Sequence, residues 1–461
     1  MKSLLIAALL CLWADTTALQ AGEHSHSALG RKVFAHYMAC CPRFGHSSTV
    51  EQYQIEILAA QSRGIDGFSV ILGAWTSEPF YIDVVTRLFE AARRLNTSFK
   101  LMLSPGASLK VEEVAEIVSR FANEPALLKL SESIVLSTYG GDTDWLEQLR
   151  QKLQDLQIRY VNVAFLDYPV KGVSRAFFGV RGFTKNYNVF EQVLAENPTL
   201  DGYFYFSAGE PPDTLARSIM QISRNLRARG KISMMGVSPY YRGLEPNNSR
   251  VFESEGFSGM ARQWRAIIDS EADWAEVVTW NDWGEATYVA PFGGPMDQAL
   301  WEGHWGPLLA HEKFLDASRY YIEWFKKGRA PKIRCDKLYY FYRPHLKDAI
   351  GLVYPDEGKL GRPRGWQRLR DAIYFAAFFT RPITVSIKNG SNSSIQHVDA
   401  GVSTFEIPIH LGEISIEIQD QQGILASKRL EFAVLTDGSV GNFNYFAGEM
   451  PIPKGSVTTC W

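Results

Sequence analysis

Short apolar stretches alternate eight times with helical patterns between residues 31 and 330, and this alternation limits the possible folds more than any other feature. The stretches are rich in β-branched and aromatic residues, whereas the segments between them carry apolar residues at helical spacing. The eight predicted strands cover residues 33–37, 67–71, 99–103, 133–136, 160–165, 202–206, 232–237 and 276–280. Eight strand–helix units predict an α/β fold, a (β/α)8 TIM-like barrel. A doubly wound open sheet is the alternative, but no glycine-rich phosphate loop follows the first strand.

After Pro331 the pattern changes to short strands separated by turn residues. Five such strands between residues 371 and 434 predict a small antiparallel β-sandwich domain. We therefore expect a catalytic barrel over 31–330, a linker or connecting segment over 331–365 and a β-sandwich over 366–461. The sandwich is interpreted as a structural partner of the barrel, with a carbohydrate-binding module as the alternative.

The N-terminus has the layout of a secretory signal peptide. An apolar run over 4–13 follows Lys2, and small residues then offer cleavage points at Ala18 and Ala21. A run of about ten residues is too short to span a bilayer. We assign the signal to 1–21 and expect a secreted, extracellular protein with no membrane segment in its mature form.

The charge balance argues against nucleic acid as a partner. Lys and Arg number 48 and Asp and Glu 50, so no basic excess exists to neutralise phosphates. Aromatic residues make up 13% of the chain, with 12 Trp and 20 Tyr. Such side chains either fill a core or form the stacking walls of a ligand cleft, and composition does not distinguish the two. The oligomeric state is not indicated.

Four cysteines remain once the signal is removed, and an even number in a secreted chain permits two disulfides. We expect the neighbours Cys40 and Cys41 not to bridge each other, because the ring would be strained. Each would then pair with Cys335 or Cys460. The cysteine and histidine spacings do not match a zinc site, so neither a metal nor an organic cofactor is implied.

The densest polar cluster follows the eighth strand, where the chain reads Trp-Asn-Asp-Trp-Gly-Glu over 280–285. Functional residues of such barrels collect at the carboxyl ends of the strands. Glycoside hydrolysis needs one carboxyl group to protonate the leaving oxygen and a second to activate water or attack carbon. Asp282 and Glu285 are therefore the candidate catalytic pair. Glu285 is the preferred general acid and Asp282 the preferred base, with the reverse order open.

Four segments occur in the order typical of one enzyme family: 33–38, 64–68, 237–241 and 278–285. Together they resemble glycoside hydrolase family 71, the α-1,3-glucanases or mutanases. The resemblance implies a (β/α)8 barrel, hydrolysis of α-1,3-glucan with inversion, and Asp282 and Glu285 as the catalytic pair. The chain departs from the family at Trp283 and Ala286 and in the loops at 104–107 and 206–210, which leaves the exact substrate less well indicated.

Further polar and aromatic residues at the predicted strand ends are candidates for binding a polysaccharide substrate, an α-glucan. They are His36, Tyr37, Asp167, Glu210, Tyr240, Tyr241, Trp280, Asn281, Trp283 and Tyr288. His36 is either a ligand of a sugar hydroxyl or a hydrogen-bonded structural histidine. Tyr240 and Tyr241 either form a stacking wall or pack in the core. Two other functions stay open: an α-glycosidase of different linkage or sugar, and a catalytically inactive carbohydrate-binding protein.

Overall fold

The predicted barrel is present, and it is closed. The computed structural model describes residues 29–166, 194–245, 248–292, 295–354, 358–453 and 460–461. Eight parallel strands follow one another around the barrel in chain order, and the last pairs with the first, which excludes the open sheet. These strands, β1 to β8, are Lys32–Met38, Gly67–Leu72, Lys100–Pro105, Ser133–Leu136, Tyr160–Ala164, Gly202–Tyr205, Ile232–Val237 and Trp274–Val277.

The barrel is a packed core rather than a pore. Its strands are buried on both faces, which explains why they read as continuous apolar runs in the sequence. Large side chains from several strands fill the interior, among them Phe34, Met102, Val161, Phe204, Met234 and Trp274. Since the interior is filled, a ligand cannot enter the barrel, and functional residues of this fold collect at the mouth, where the carboxyl ends of the strands lie.

Helices cover the outside of the barrel. The helix Phe80–Leu95 is typical: it buries Val84, Leu88 and Ala91 and ends at Asn96, whose left-handed backbone stops the helix. The helices, α1 to α8, are Val50–Gln61, Phe80–Leu95, Val111–Phe121, Thr143–Asp155, Pro212–Ala228, Gly256–Asp269, Pro295–Trp305 and Glu312–Lys327. Three predicted features lie wholly or largely outside the described residues: the signal peptide over 1–21, the helix at 187–194 and Asp167.

Two antiparallel four-stranded sheets follow the barrel and enclose an apolar core. The labelled strands of this part, β9 to β18, are Lys337–Tyr342, Gly351–Tyr354, Lys359–Gly361, Ala372–Phe379, Ile383–Asn389, Asn392–Val398, Gly401–Pro408, Ile414–Asp420, Gly423–Arg429 and Phe446–Glu449. One sheet has the order β15-β12-β9-β18 and the other β14-β13-β16-β17. Side chains alternate between buried and exposed along β13 and β16, as expected for strands with one solvated face.

The segment expected to be a linker contains a strand of the first sheet. β9 is fully buried, because it lies between β12 and β18 in that sheet. One face of the sheet contributes Leu338 and Tyr340 to the core between the two sheets, and the other face contributes Tyr339 and Phe341 to the core of the barrel. The sheet therefore packs directly against the barrel helices. The linker was predicted from the charge and glycine content of the second half of 331–365. That composition does not indicate a buried strand in the first half.

The disulfide expectation was wrong. Cys40 is joined to Cys41, and Cys335 to Cys460. The reason is that the two pairs lie in different parts of the fold. Cys40 and Cys41 are in the loop after β1, at the mouth of the barrel. The segments that carry Cys335 and Cys460 are neighbours beside the C-terminal sheets, where the Arg334 amide donates to the Cys460 carbonyl at 2.7 Å. Within the described part of the chain, no helix is long and apolar enough to cross a membrane.

Candidate active site

The loop after β8 is a compact turn that holds two carboxylates at the mouth of the barrel. The Trp280 amide donates to the carbonyl of His36 at 2.7 Å, which ties the loop to the end of β1. The hydroxyl of Thr279 accepts from the Asp282 amide at 2.9 Å, and Oδ1 of Asp282 accepts from the Glu285 amide at 2.9 Å. Because each of these contacts lies within the loop or at its base, the two half-buried carboxylates are held close together.

The two carboxyl groups have different electrostatic environments. Burial raises the pKa of Asp282 well above its usual range, and the negative charge of Glu285 raises it further. Burial also raises the pKa of Glu285, but the hydrogen bond from Tyr241 and the positive charge of Arg250 oppose that rise. The donors around Glu285 therefore favour its charged form, whereas the charge of Glu285 favours the protonated form of Asp282.

Three side chains from the loop after β7 converge on Glu285. The hydroxyl of Tyr241 and the amide of Asn248, the latter at 3.1 Å, both donate to Oε1 of Glu285. Tyr241 in turn accepts from Asn248 at 2.7 Å and from Arg250 at 3.0 Å, and the Arg250 guanidinium lies over its ring. The phenol is thereby oriented to donate toward the carboxylate. Sequence reasoning singled out Tyr241 but missed Asn248 and Arg250.

Backbone pairing brings these two loops together. The Arg242 amide donates to the carbonyl of Glu285 at 2.9 Å, and the Leu244 amide donates to the carbonyl of Gly284 at 2.8 Å. Arg242–Gly243 also pairs with Arg250–Val251 as a short antiparallel hairpin. The hairpin returns the chain to the site, which is why Asn248 reaches Glu285 and Arg250 reaches Tyr241.

Two of the predicted binding residues, His36 and Asn281, are buried and already engaged by protein groups. Nδ1 of His36 lies 2.7 Å from Oε1 of Glu276, inside the barrel. The Asn281 side chain accepts from the Met38 amide at 2.7 Å and donates to the Cys41 carbonyl at 2.8 Å. Asn281 therefore holds the end of β1 and its disulfide loop against the loop of the carboxylates, rather than orienting a carboxylate directly.

Tyr37 and Trp280 point away from the barrel mouth. Both are fully buried and both donate to Glu56 of α1, Tyr37 at 3.1 Å and Trp280 at 2.8 Å. Burial raises the pKa of Glu56 to about 7, although the hydrogen bonds from Trp280 and Tyr37 lower it in part. The side chains of Tyr37 and Trp280 have no exposed surface for stacking on a sugar ring. Glu56 is a buried titratable group that the sequence did not single out.

The other predicted aromatic walls are packed in the core. Trp283 lies between Tyr288 and Trp301, with ring centroids 4.7 and 5.9 Å away, and donates to the carbonyl of Cys41 at 3.0 Å. Tyr288 stacks on His311 at 4.6 Å. Tyr240 is also buried, and its hydroxyl binds a backbone carbonyl of the C-terminal part. Of the predicted aromatic residues, Tyr241 alone contacts a carboxylate of the pair in the described residues.

Glu210 lies near the site without joining the pair. It is half-buried after β6 and lines the same recess as Tyr241 and Phe252. Asp167, the other acidic residue predicted to bind substrate, lies outside the described residues. The structure thus brings Asp282, Glu285 and Tyr241 together and keeps Glu210 nearby. The remaining described candidates are buried, where they pack against or hydrogen-bond to other protein groups.

An eight-stranded barrel with two interacting carboxylates after its last strand is an arrangement typical of glycoside hydrolases. Comparison with known families agrees with this class. Residues 29–459 match the model of glycosyl hydrolase family 71, and the chain belongs to that family. The protein is accordingly a glycoside hydrolase.

Curated relatives match over most of their length. The mutanase Pc12g07500 of Penicillium rubens is 25% identical over 455 residues, which cover 95% of this chain and 93% of that protein. The glucan endo-1,3-alpha-glucosidase agn1 of Schizosaccharomyces pombe is 25% identical over 419 residues, 87% of this chain and 91% of that protein. Among solved structures, the GH99 endo-alpha-mannosidase of Bacteroides thetaiotaomicron is similar with a TM-score of 0.47 and 13% identity, over 65% of this chain and 98% of that one.

Proposed function

We propose that the protein is a secreted hydrolase of α-1,3-linked glucan. Membership of family 71 and the names of two relatives, a mutanase and a glucan endo-1,3-alpha-glucosidase, support this substrate. The observation that carries the proposal is the contact between Asp282 and Glu285 at the barrel mouth, with Tyr241, Asn248 and Arg250 around the second carboxylate. A binding protein would have no need for two adjacent carboxyl groups with raised pKa values.

The proposed reaction inverts the configuration at the anomeric carbon in one step. Asp282, whose raised pKa favours its protonated form, donates a proton to the glycosidic oxygen as the bond from that oxygen to C1 breaks. Glu285, kept ionised by its hydrogen-bond donors, removes a proton from the water whose oxygen forms the new bond to C1. Exchange with solvent then returns a proton to Asp282 and removes one from Glu285. This order of acid and base is the reverse of the one preferred from sequence, because the environment of Glu285 was not visible there.

Export of the protein is part of the proposal. The N-terminal pattern over 1–21 is that of a signal peptide, and two disulfides are present among the described residues. Disulfides persist in oxidising compartments, and an insoluble glucan can be reached only by an enzyme outside the cell. We also propose the division into a barrel over 31–330 and a β-sandwich over 366–461, with the sandwich as a structural partner.

The test is hydrolysis by the wild type and by Asp282→Asn, Glu285→Gln and Glu78→Gln. Glu78 is an exposed carboxylate in the loop after β2 and serves as the matched control. On α-1,3-glucan, both site variants should lose about 10²–10⁴-fold in rate, whereas the control should keep full activity. Activity confined to an α-1,4-glucan, an α-1,6-glucan or an α-mannan would identify a different α-glycosidase. Binding of glucan without release of reducing ends would identify an inactive binding protein.

A second substrate separates the two roles. An α-glucosyl fluoride needs no protonation of its leaving group, so loss of the general acid matters little for it. Asp282→Asn should therefore hydrolyse the fluoride far better than it hydrolyses glucan, relative to the wild type, and Glu285→Gln should fail on both. If instead Glu285→Gln hydrolyses the fluoride well and Asp282→Asn fails on both substrates, Glu285 is the general acid.

A further inference from the structure

Three half-buried aromatic rings lie side by side at the mouth of the barrel, at the ends of β4, β5 and β6. Tyr139 and Phe165 are stacked with centroids 4.7 Å apart and an angle of 29° between the rings. Phe206 lies 5.6 Å from Tyr139 and 6.1 Å from Phe165. The backbones of Tyr139 and Phe165 are paired in parallel, so the strands hold the spacing of these rings. We call Tyr139, Phe165 and Phe206 the mouth rings.

The mouth rings rest on a polar dyad and lie on the same face of the barrel as the carboxylates. Beneath them, the His36 ring lies 5.3 Å from Phe206 and 5.6 Å from Tyr139, and Glu276 holds that ring through Nδ1 at 2.7 Å. Phe165 and Phe206 pack against the same apolar cluster as Tyr241, whose hydroxyl binds Glu285. Phe165, Phe206 and Tyr241 thus share one apolar core, and they lie with the proposed catalytic base on the same face of the barrel.

The mouth rings differ from the other aromatic candidates in exposure. Trp280, Trp283 and Tyr288 are 0–1% exposed and offer no surface to a ligand. The mouth rings, in contrast, keep part of their surface accessible, on the face of the barrel where substrates bind. Since apolar surface at a barrel mouth costs solvation free energy unless something covers it, the exposed parts of these rings offer a stacking surface among the described residues of the mouth.

We propose that the mouth rings form a sugar-binding subsite that stacks against one glucosyl unit of the substrate. The C–H groups on the face of a pyranose ring are apolar and pack against aromatic faces, while its hydroxyl groups stay free for polar contacts at the rim. Because the mouth rings and Glu285 both follow barrel strands at their carboxyl ends, the bound unit would lie at the same mouth as the carboxylates. The inference rests on the proposed function, because the α-glucan comes from there.

The experiment measures binding in an Asp282→Asn background, which keeps oligosaccharides intact, and compares leucine with tyrosine at the same position. Phe165→Leu and Phe206→Leu keep apolar volume but remove the ring face, whereas Phe206→Tyr keeps the face. The matched control is Phe405→Leu, since Phe405 is also half-buried and stacks on Phe375 at 4.7 Å, in the C-terminal sheets. Thermal melting of each variant separates loss of binding from loss of folding.

By calorimetry with α-1,3-linked gluco-oligosaccharides, each leucine variant at the mouth should raise Kd about three- to tenfold. Phe206→Tyr and Phe405→Leu should leave Kd unchanged. Leucine variants that bind as tightly as the parent, or a tyrosine variant as weak as the leucine variant, would overturn the subsite while the proposed function stands. A wild type that neither binds nor cleaves these oligosaccharides would overturn the proposed function, and the subsite with it.

Discussion

The hydroxyl of Tyr240 donates a 2.7 Å hydrogen bond to the carbonyl of Phe443, 203 residues further along the chain. The next residue, Tyr241, donates to Glu285. Two consecutive tyrosines therefore connect the C-terminal part of the protein with the proposed catalytic base. The rings of Tyr240 and Tyr445 also pack at 4.6 Å. The loop after β7 is therefore bound to the C-terminal part through Tyr240 and to the loop after β8 through Tyr241.

The loop after β8 has a similar support. Asn444 donates to the hydroxyl of Tyr288 at 3.0 Å, and His311 lies 2.8 Å from the Asn444 side chain. Burial lowers the pKa of His311 to about 4, so this histidine is neutral at neutral pH and acts as a fixed hydrogen-bonding group. The residues around 442–445 thus pack beneath both loops that form the site.

Removal of residues 345–461 should abolish both solubility and activity. Deletion would expose the apolar faces of α6 and α8 and remove the support at Phe443 and Asn444. Expression yield and hydrolysis of a soluble α-1,3-oligosaccharide measure the effect. A soluble barrel that cleaves the oligosaccharide at the normal rate, and loses activity only on insoluble glucan, would instead identify the sandwich as a carbohydrate-binding module.

Tyr241→Phe should move the acidic limb of the pH profile to higher pH. The hydrogen bond from Tyr241 stabilises the ionised form of Glu285 and so lowers its pKa; without that bond the pKa rises, and the base becomes active only at higher pH. A hydrogen bond to a charged group is worth about 1.5–3 kcal/mol, which corresponds to about one to two pH units. The measurement is kcat/KM from pH 3 to 8.

Tyr240→Phe is the matched control for that profile. It removes the neighbouring hydroxyl, whose partner is a backbone carbonyl, so it should lower the free energy of unfolding by about 1 kcal/mol without shifting the limb. An equal shift in both variants would mean that Tyr241 acts through loop stability and not through the charge of Glu285.

Glu56 should make the protein less stable as the pH rises from about 4.5 to 7. Its pKa is 4.5 in an ordinary environment and about 7 in the folded protein, so between these values the folded state keeps a proton that the unfolded state has lost. The resulting loss is about 3 kcal/mol at full effect. Urea unfolding of the wild type and of Glu56→Gln at pH 4.5 and pH 7.5 measures it.

The Gln variant should show a weaker decline with pH, because position 56 no longer titrates. Glu112→Gln, at an exposed position on α3, should keep the decline of the wild type. An unchanged pH dependence in Glu56→Gln would assign the titration to another group.

The Cys40–Cys41 disulfide should affect catalysis more than stability. The carbonyl of Cys41 accepts from Asn281 at 2.8 Å and from Trp283 at 3.0 Å, the residues on either side of Asp282. A bridge between neighbours restricts the unfolded chain little, so replacing both cysteines by serine should leave the thermal midpoint nearly unchanged. We expect kcat to fall several-fold as the loop around Asp282 loosens.

The second disulfide is the matched control for the first. Cys335 and Cys460 are 125 residues apart, so their replacement by serine should cost roughly 2–5 kcal/mol of stability and leave kcat near the wild-type value. Differential scanning calorimetry and initial rates give both quantities. Equal kcat values in the two double variants would mean that the Cys40–Cys41 disulfide does not support the loop around Asp282.

The sequence predicted the barrel because a parallel strand buried on both faces reads as one apolar run, as in Gly67–Leu72. The same alternation placed Asp282 after the last barrel strand, and the structure has it in that loop; its catalytic role stays a prediction. The sequence did not predict which way aromatic side chains point: Trp280 was expected in the cleft, yet it donates to Glu56 outside the barrel. Side chains at neighbouring positions of a loop can point in opposite directions, and the direction of each depends on the tertiary contact that it makes.

Contacts between distant segments were equally out of reach. A hairpin that no motif marks brings Asn248 to Glu285 and Arg250 to Tyr241, and the Cys40–Cys41 bridge depends on where the other cysteines lie in the fold. β9 was assigned to a linker because its apolar residues precede a charged, glycine-rich stretch. In each case the missing information was a tertiary neighbour.

The most direct test follows the first product released from α-1,3-glucan by proton NMR, with wild type and Asp282→Asn in parallel. Oligosaccharides released by the wild type should appear first as the β-anomer and equilibrate afterwards, and the variant should release almost none. No release of oligosaccharide by the wild type, or initial release of the α-anomer, would contradict single-step inversion by Asp282 and Glu285.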